Sequence, residues 1–218
     1  MISRSSQAIS FVKERFNHAY QNAVASGEYL GLAMASTNLF NNNTLNINAF
    51  SLGTVLTFHL LTTLYDLKLN KVVGDVYLFG GALEHNTLCR DLHKLIGYNG
   101  VVQGKLYIFR SSADQVLNWL FTYSGRDRNN CIGHSEVKKE DIIQGLLAKD
   151  KLLRNMTLDM LGDYVEKKLV LVDCSAFVKG HLDYQLKYDL CDDYRLGFDK
   201  TGKNNLRINP KGYRKLKN

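Results

Sequence analysis

Three residues of this 218-residue chain are of the types that together break an acyl bond: a serine, an acid and a histidine. Ser51 stands in Ala49-Phe50-Ser51-Leu52-Gly53, between two segments of different period. Thr44 to Phe50 alternates polar and apolar residues, the pattern of a half-buried strand. Thr54 to Tyr65 places apolar side chains at helical spacing with no Gly or Pro. A strand, a serine in a tight turn and then a helix is the layout of a nucleophile elbow. The hydroxyl then sits at a helix N-terminus, where backbone N–H groups, beginning with that of Leu52, can stabilise an oxyanion. Ala49 occupies the place usually held by the first glycine of Gly-x-Ser-x-Gly, and alanine is the smallest replacement that still allows close approach. The motif alone also describes a serine that merely caps a helix.

The other two residues follow strand-like runs. Lys71 to Ala82 is a buried-strand pattern ending in a glycine pair, and Gly104 to Arg110 is a second one, with Asp114 just past its end. Lys168 to Asp173 is a third, and His181 follows it. Serine, acid, histidine, each beyond the carboxyl end of a predicted strand, is the chain order of the α/β-hydrolase triad, and other serine hydrolase folds use different orders. The predicted fold class is therefore α/β: a partial α/β-hydrolase fold with a parallel sheet of about four strands flanked by helices on both faces. The strands fall near 45–50, 72–79, 104–110 and 168–173.

Several of these motifs recur together. Phe50-Ser51-Leu52-Gly53, the Val-x-Asp-Val-x-Leu-x-Gly strand at Val73 to Gly80, the acid-bearing strand and Gly180-His181-Leu182-Asp183-Tyr184 resemble the transmembrane and coiled-coil domain-containing proteins, a family of unknown function. The likeness runs from about Gln21 to Leu190, with Asn22 to Ala33 resembling the helix before the nucleophile strand. It implies a catalytic triad of Ser51, Asp114 and His181. The chain departs from that family at Ala49 and at Gly80-Gly81-Ala82, where the family has Gly-Ala-Pro. Residues 122–167 look longer than their counterpart, and the family's membrane-spanning segments have no equivalent. Only 50 residues precede Ser51, reading as one or two helices, whereas a complete α/β-hydrolase builds about four strands there. The chain thus reads as the C-terminal half of such a domain.

Composition fits one globular core, with 45% apolar and 11% aromatic residues and a single proline, Pro210. The expected organisation is an N-terminal helical segment at 1–43, a truncated hydrolase-like core at 44–199 with a helical insertion at 122–167, and a basic extended tail at 200–218. Within the insertion, apolar spacing from Lys138 to Lys168 predicts two helices broken near Asp150 or Asn155, packing on the sheet or on a partner surface rather than forming a lid. Trp119 reads as core. His59, His85, His93 and His134 have no metal-ligand spacing, so neither metal nor other cofactor is expected. Cys89, Cys131, Cys174 and Cys191 form no Cys-x-x-Cys pair, which suits buried thiols in a reducing compartment. No apolar run reaches the roughly 18 residues of a membrane span. The first 13 residues are Ser-rich, basic and free of acids, a composition shared by mitochondrial transit peptides and by ordinary amphipathic helices; mitochondrion and cytosol are the two expected compartments.

Charge is concentrated at one end. Lys200, Lys203, Arg207, Lys211, Arg214, Lys215 and Lys217 account for the whole formal +7, and no acid accompanies them. Such a tail suits an acidic groove on a partner protein best, with an anionic membrane surface or nucleic acid as the alternatives. Nucleic acid is the poorest fit, because Tyr213 is the tail's one aromatic residue. Two functions follow. One is a serine hydrolase acting on an ester or lipid, with Leu52 N–H as one oxyanion donor and the second supplied by another polypeptide or by residues 21–43. The other is a catalytically weak, hydrolase-derived structural subunit of a larger assembly. The absent front half, the basic tail and the unpaired edge of the Leu45–Phe50 strand tip the sequence reading toward assembly.

Overall fold

The computed structural model describes residues 4–37, 39–40, 44–187, 207–208 and 213–215, and among these the side chains from Ile9 to Lys187, except that of Arg128. A long helix, α1 (Arg4–Ala35), precedes the first strand, β1 (Leu45–Phe50). Then follow α2 (Gly53–Asp66), β2 (Val73–Phe79), α3 (His85–Ile96), β3 (Leu106–Arg110) and α4 (Gln115–Ser124). The predicted pair of helices appears as α5 (Lys139–Lys149) and α6 (Leu158–Lys168), separated by a 3₁₀ turn at Leu153–Asn155. The chain continues through β4 (Leu169–Asp173) and one turn of helix, α7 (Asp183–Leu186). Two pieces of the tail are short strands, β5 (Arg207–Ile208) and β6 (Tyr213–Lys215).

The architecture is α/β. β1 to β4 run parallel and in chain order, and β6 extends the sheet parallel to β4, with β5 antiparallel beyond it. The four main strands lie within two residues of their predicted positions. The extended character expected of the tail holds where it is described, and those pieces add to the chain's own sheet. Cys191 and the rest of the tail lie outside the described residues.

Strand alternation sorts the core into two faces. Leu106, Ile108, Leu169 and Leu171 join Val73, Val76 and Leu78 in a large cluster with side chains of α1 to α6. Tyr107, Phe109, Val170, Val172 and Phe79 point the other way, toward Cys174, Val178 and Tyr184. The expectation of helices on both faces is met unevenly: among the described residues six helices cover the first face, and the second carries the single turn α7. The cause is topological. Strands laid down in consecutive order, joined by crossovers of one hand, leave every connecting helix on the same side. The helices at 139–149 and 158–168 pack there, with Ile142, Leu146, Leu161 and Val165 buried.

The nucleophile helix is clamped from behind by α1. A Cβ added at Gly27 would stand 2.2 Å from the Leu56 carbonyl oxygen, and one at Gly31 would stand 2.9 Å from Thr63 Cβ. Glycines one turn apart let two backbones approach in this way.

Candidate functional site

Ser51 follows β1 with φ 55°, in the left-handed region that costs a non-glycine residue about 1–2 kcal/mol. Four hydrogen bonds hold it there. Its N–H donates to the Phe79 carbonyl at 3.1 Å, and its own carbonyl accepts from Thr54 N–H (3.1 Å) and Ala82 N–H (3.2 Å). The fourth comes from the buried Thr54 hydroxyl, which donates to the same carbonyl at 2.7 Å. The turn after β2 is built to supply the Ala82 donor. Gly80 has φ +49° and lies against Tyr184, whose Cε2 would be 2.7 Å from an added Cβ. This is the physical content of the glycine pair seen in the sequence.

Asp114 is fully buried at the N-cap of α4. One carboxylate oxygen accepts from Leu117 N–H at 3.1 Å, and the other lies 2.7 Å from His181 Nδ1. His181 Nε2 is in turn 2.8 Å from Ser51 Oγ. A carboxylate can only accept, so Nδ1 carries the proton and donates to Asp114, and Nε2 is the acceptor for the Ser51 hydroxyl. The three sequence-predicted side chains meet in one continuous chain at the carboxyl ends of β1, β3 and β4. The His181 ring is only 10% exposed and lies against Phe50, ring centroids 4.7 Å apart.

Other residues lock the two loops, and the sequence reading named none of them in that role. Ser111 Oγ donates to the Val178 carbonyl at 2.6 Å, tying the Asp114 loop to the His181 loop. Asp183 Oδ2 accepts from the Lys179 and Gly180 N–H groups and from Lys187 Nζ, closing a ring around His181. The Lys187 hydrogen bond, then the one from Lys179, holds the Asp183 carboxyl below the usual carboxylate range. Beneath them Arg110 Nη2 donates to Asp173 Oδ2 at 2.7 Å, joining the ends of β3 and β4. The other Asp173 oxygen accepts from Ser175, whose hydroxyl accepts from Ser112 N–H. Asp183 was visible within the Gly-His-x-Asp motif, and Asp173 as a lone acid ending an apolar run.

Leu52 N–H stands at the start of α2 with no acceptor among the described residues. The helical part of residues 21–43, one of the two expected sources of a second donor, has no spare backbone N–H. Backbone N–H groups inside α1 are engaged in its own turns, and α1 runs along α2 away from Ser51, Gly31 reaching Leu60 and Thr63. Beside the triad, Asn48, Ala49, Phe50, Phe79, Tyr184 and Gln185 line a groove of about 150 Å³.

Trp119, expected in the core, is 45% exposed; Leu117 and Phe121 take the buried side of α4 instead. His59 and His85 lie 3.9 and 3.8 Å from Glu28 and Asp141. Burial lowers the pKa of both, as it does that of His93. Cys89, Cys131 and Cys174 are buried, with the Cys89 and Cys131 thiols pushed up to about 12 by burial. Among the described residues no cluster has the makings of a metal site, and no helix is long and apolar enough to cross a membrane.

The chain matches no protein-family model, no curated protein and no solved structure. The likeness to the transmembrane and coiled-coil domain-containing family thus stands on the motifs quoted above.

Proposed function

We propose that this chain is a serine hydrolase acting on carboxylic esters. The observation that carries the reading is the unbroken Ser51–His181–Asp114 chain, at 2.8 and 2.7 Å, with its serine held at φ 55°. A serine that only capped a helix would need neither the strained backbone nor the histidine.

In this reading Ser51 Oγ attacks the ester carbonyl while His181 Nε2 takes its proton. Asp114 keeps the proton on Nδ1 and stabilises the imidazolium that forms. Leu52 N–H receives the negative charge developing on the carbonyl oxygen. His181 then protonates the departing alcohol, leaving an ester on Ser51, and a water activated by the same histidine releases the acid. The groove beside Phe50 receives part of the acyl chain. The test is labelling of the purified chain with a fluorophosphonate, together with hydrolysis of a short p-nitrophenyl ester. Both activities are expected, and both vanish in Ser51→Ala and His181→Ala. An unlabelled Ser51 in correctly folded protein overturns the proposal.

A second reading, a structural subunit of a larger assembly, is favoured by one observation: the outer edge of β1 pairs with no strand among the described residues. Edges of this kind invite a partner. It predicts a chain that resists labelling and whose partner contacts survive Ser51→Ala.

A further inference from the structure

His181 lies in a segment that belongs to no strand or helix, between the end of β4 at Asp173 and the single turn α7. A loop of this kind has no ladder to fix it, so side chains must. Part of the fixing is local. Asp183 takes the Lys179 and Gly180 N–H groups on one carboxylate oxygen, and Lys187 Nζ joins that oxygen to the Phe177 carbonyl, at 2.8 and 2.6 Å. Phe177 to Lys187 is thereby tied into one unit, seated on the sheet through buried Tyr184.

Those local bonds do not set how far His181 stands from Asp114; a link across to the Asp114 loop does. Ser111 stands three residues before Asp114, and its hydroxyl donates to the carbonyl of Val178, three residues before His181, at 2.6 Å. The Ser111–Val178 and His181–Asp114 hydrogen bonds are thus two rungs between the same two loops, 2.6 and 2.7 Å long. Every polar group of Ser111 is spent on this region. Its N–H donates to the Gly133 carbonyl at 2.9 Å, its carbonyl accepts from Asp114 N–H at 3.2 Å, and its Oγ also accepts from Ala113 N–H at 3.2 Å. Ser111 and Val178 are both fully buried. A serine that only shaped the turn before Asp114 would need the bond from Ala113 but not the one that crosses to Val178. The neighbouring bridge, Ser112 N–H to Ser175 Oγ at 2.9 Å, is exposed and meets the segment farther from His181.

We propose that Ser111 is a positioning residue: by holding the Val178 carbonyl, its hydroxyl sets the reach of His181 Nδ1 to Asp114 and the alignment of His181 Nε2 on Ser51. The catalytic consequence rests on the hydrolase reading; the geometric one does not. Without the hydroxyl, the Val178 carbonyl is unpaired in a site closed to water, and a buried unpaired acceptor drives its loop toward another donor. The shift reaches His181 because Phe177 to Lys187 moves as a unit. A misplacement of about 1 Å costs on the order of 10²-fold in rate. The loss falls on kcat, since proton transfer is disturbed while Ser51 and Leu52 N–H stay in place.

The experiment reads the imidazole directly, by proton NMR of the isotope-labelled full chain. The His181 Nδ1 proton, held by a buried carboxylate, should resonate downfield of the amide protons, and its loss in His181→Ala assigns it. Ser111→Ala should move this signal upfield and speed its exchange with water. Ser111→Cys, close to serine in size but a weaker donor, should do so less. On a p-nitrophenyl ester, kcat of Ser111→Ala should fall roughly 10–10²-fold at nearly constant KM, with Ser111→Cys in between. A residue that only stabilised the fold would lower the folded fraction, measured by circular dichroism, and leave the signal of the folded molecules where it is. Three results overturn the proposal. They are a parent without the downfield signal, a folded Ser111→Ala whose signal is unmoved, and failure of both variants to fold, which would assign Ser111 to stability alone. A parent that shows the signal but neither takes the fluorophosphonate nor hydrolyses the ester overturns the hydrolase reading, and the signal in the variants still decides the role of Ser111.

Discussion

Ser51 combines a strained backbone with a hydroxyl that donates to His181, and the two features separate in mutants. The left-handed φ costs any residue with a Cβ about 1–2 kcal/mol and costs glycine little. Ser51→Gly should therefore be more stable than Ser51→Ala by about 1 kcal/mol in urea unfolding, although both lose the nucleophile. Equal stabilities would mean that the turn relaxes once the hydroxyl is gone. Asp114 also has two duties, orienting His181 and capping α4 through Leu117 N–H. Asparagine caps helices about as well as aspartate but does not fix the productive histidine tautomer. Asp114→Asn should then lower kcat roughly 10³–10⁴-fold while changing unfolding free energy by less than about 1 kcal/mol. A loss of stability matching the loss of rate would assign Asp114 to capping alone.

At the scale of elements, β3 and β4 are joined at their ends by Arg110 and Asp173, both nearly buried. Removing one member of such a pair strands the other charge, which typically costs about 3–5 kcal/mol. Arg110→Met should show a loss of that order by chemical denaturation, and adding Asp173→Leu should restore much of it; a double variant as weak as the single would reject the account. This pair marks the limit of what the sequence disclosed. The strands were legible because alternation and apolar runs are local signals, and the triad because each member follows a strand. Arg110 and Asp173 are 63 residues apart, and only the parallel register brings them together. The outward turn of Trp119 was illegible for a related reason. Val116-Leu117-Asn118-Trp119-Leu120-Phe121-Thr122-Tyr123 carries two apolar stripes, and contact with α1, where Phe16 meets Phe121, decides which is buried. The uneven covering of the two faces follows from strand order, which no local pattern records.

For the whole molecule, the one-sided layering buries titratable groups under the six helices, and this gives the fold a pH window. His59, His85 and His93 all have lowered pKa values, with burial the largest cause. In the unfolded chain these imidazoles take up protons near pH 6.5, so below that value the unfolded state binds more protons than the folded one. Stability from these groups is therefore complete above about pH 6.5 and declines as pH falls through it toward the lower folded values. The alkaline flank has the opposite sign. Cys89 and Cys131 stay protonated to about 12 in the fold, whereas unfolded thiols ionise near 8.5, so stability declines as pH rises above that point. Melting temperature measured across pH should thus form a plateau between roughly 7 and 8.5 and fall on both sides. Cys89→Ala should flatten part of the alkaline fall and leave the acid side unchanged. A profile that climbs steadily from pH 7 to pH 10 would contradict the burial of these thiols beneath the helices.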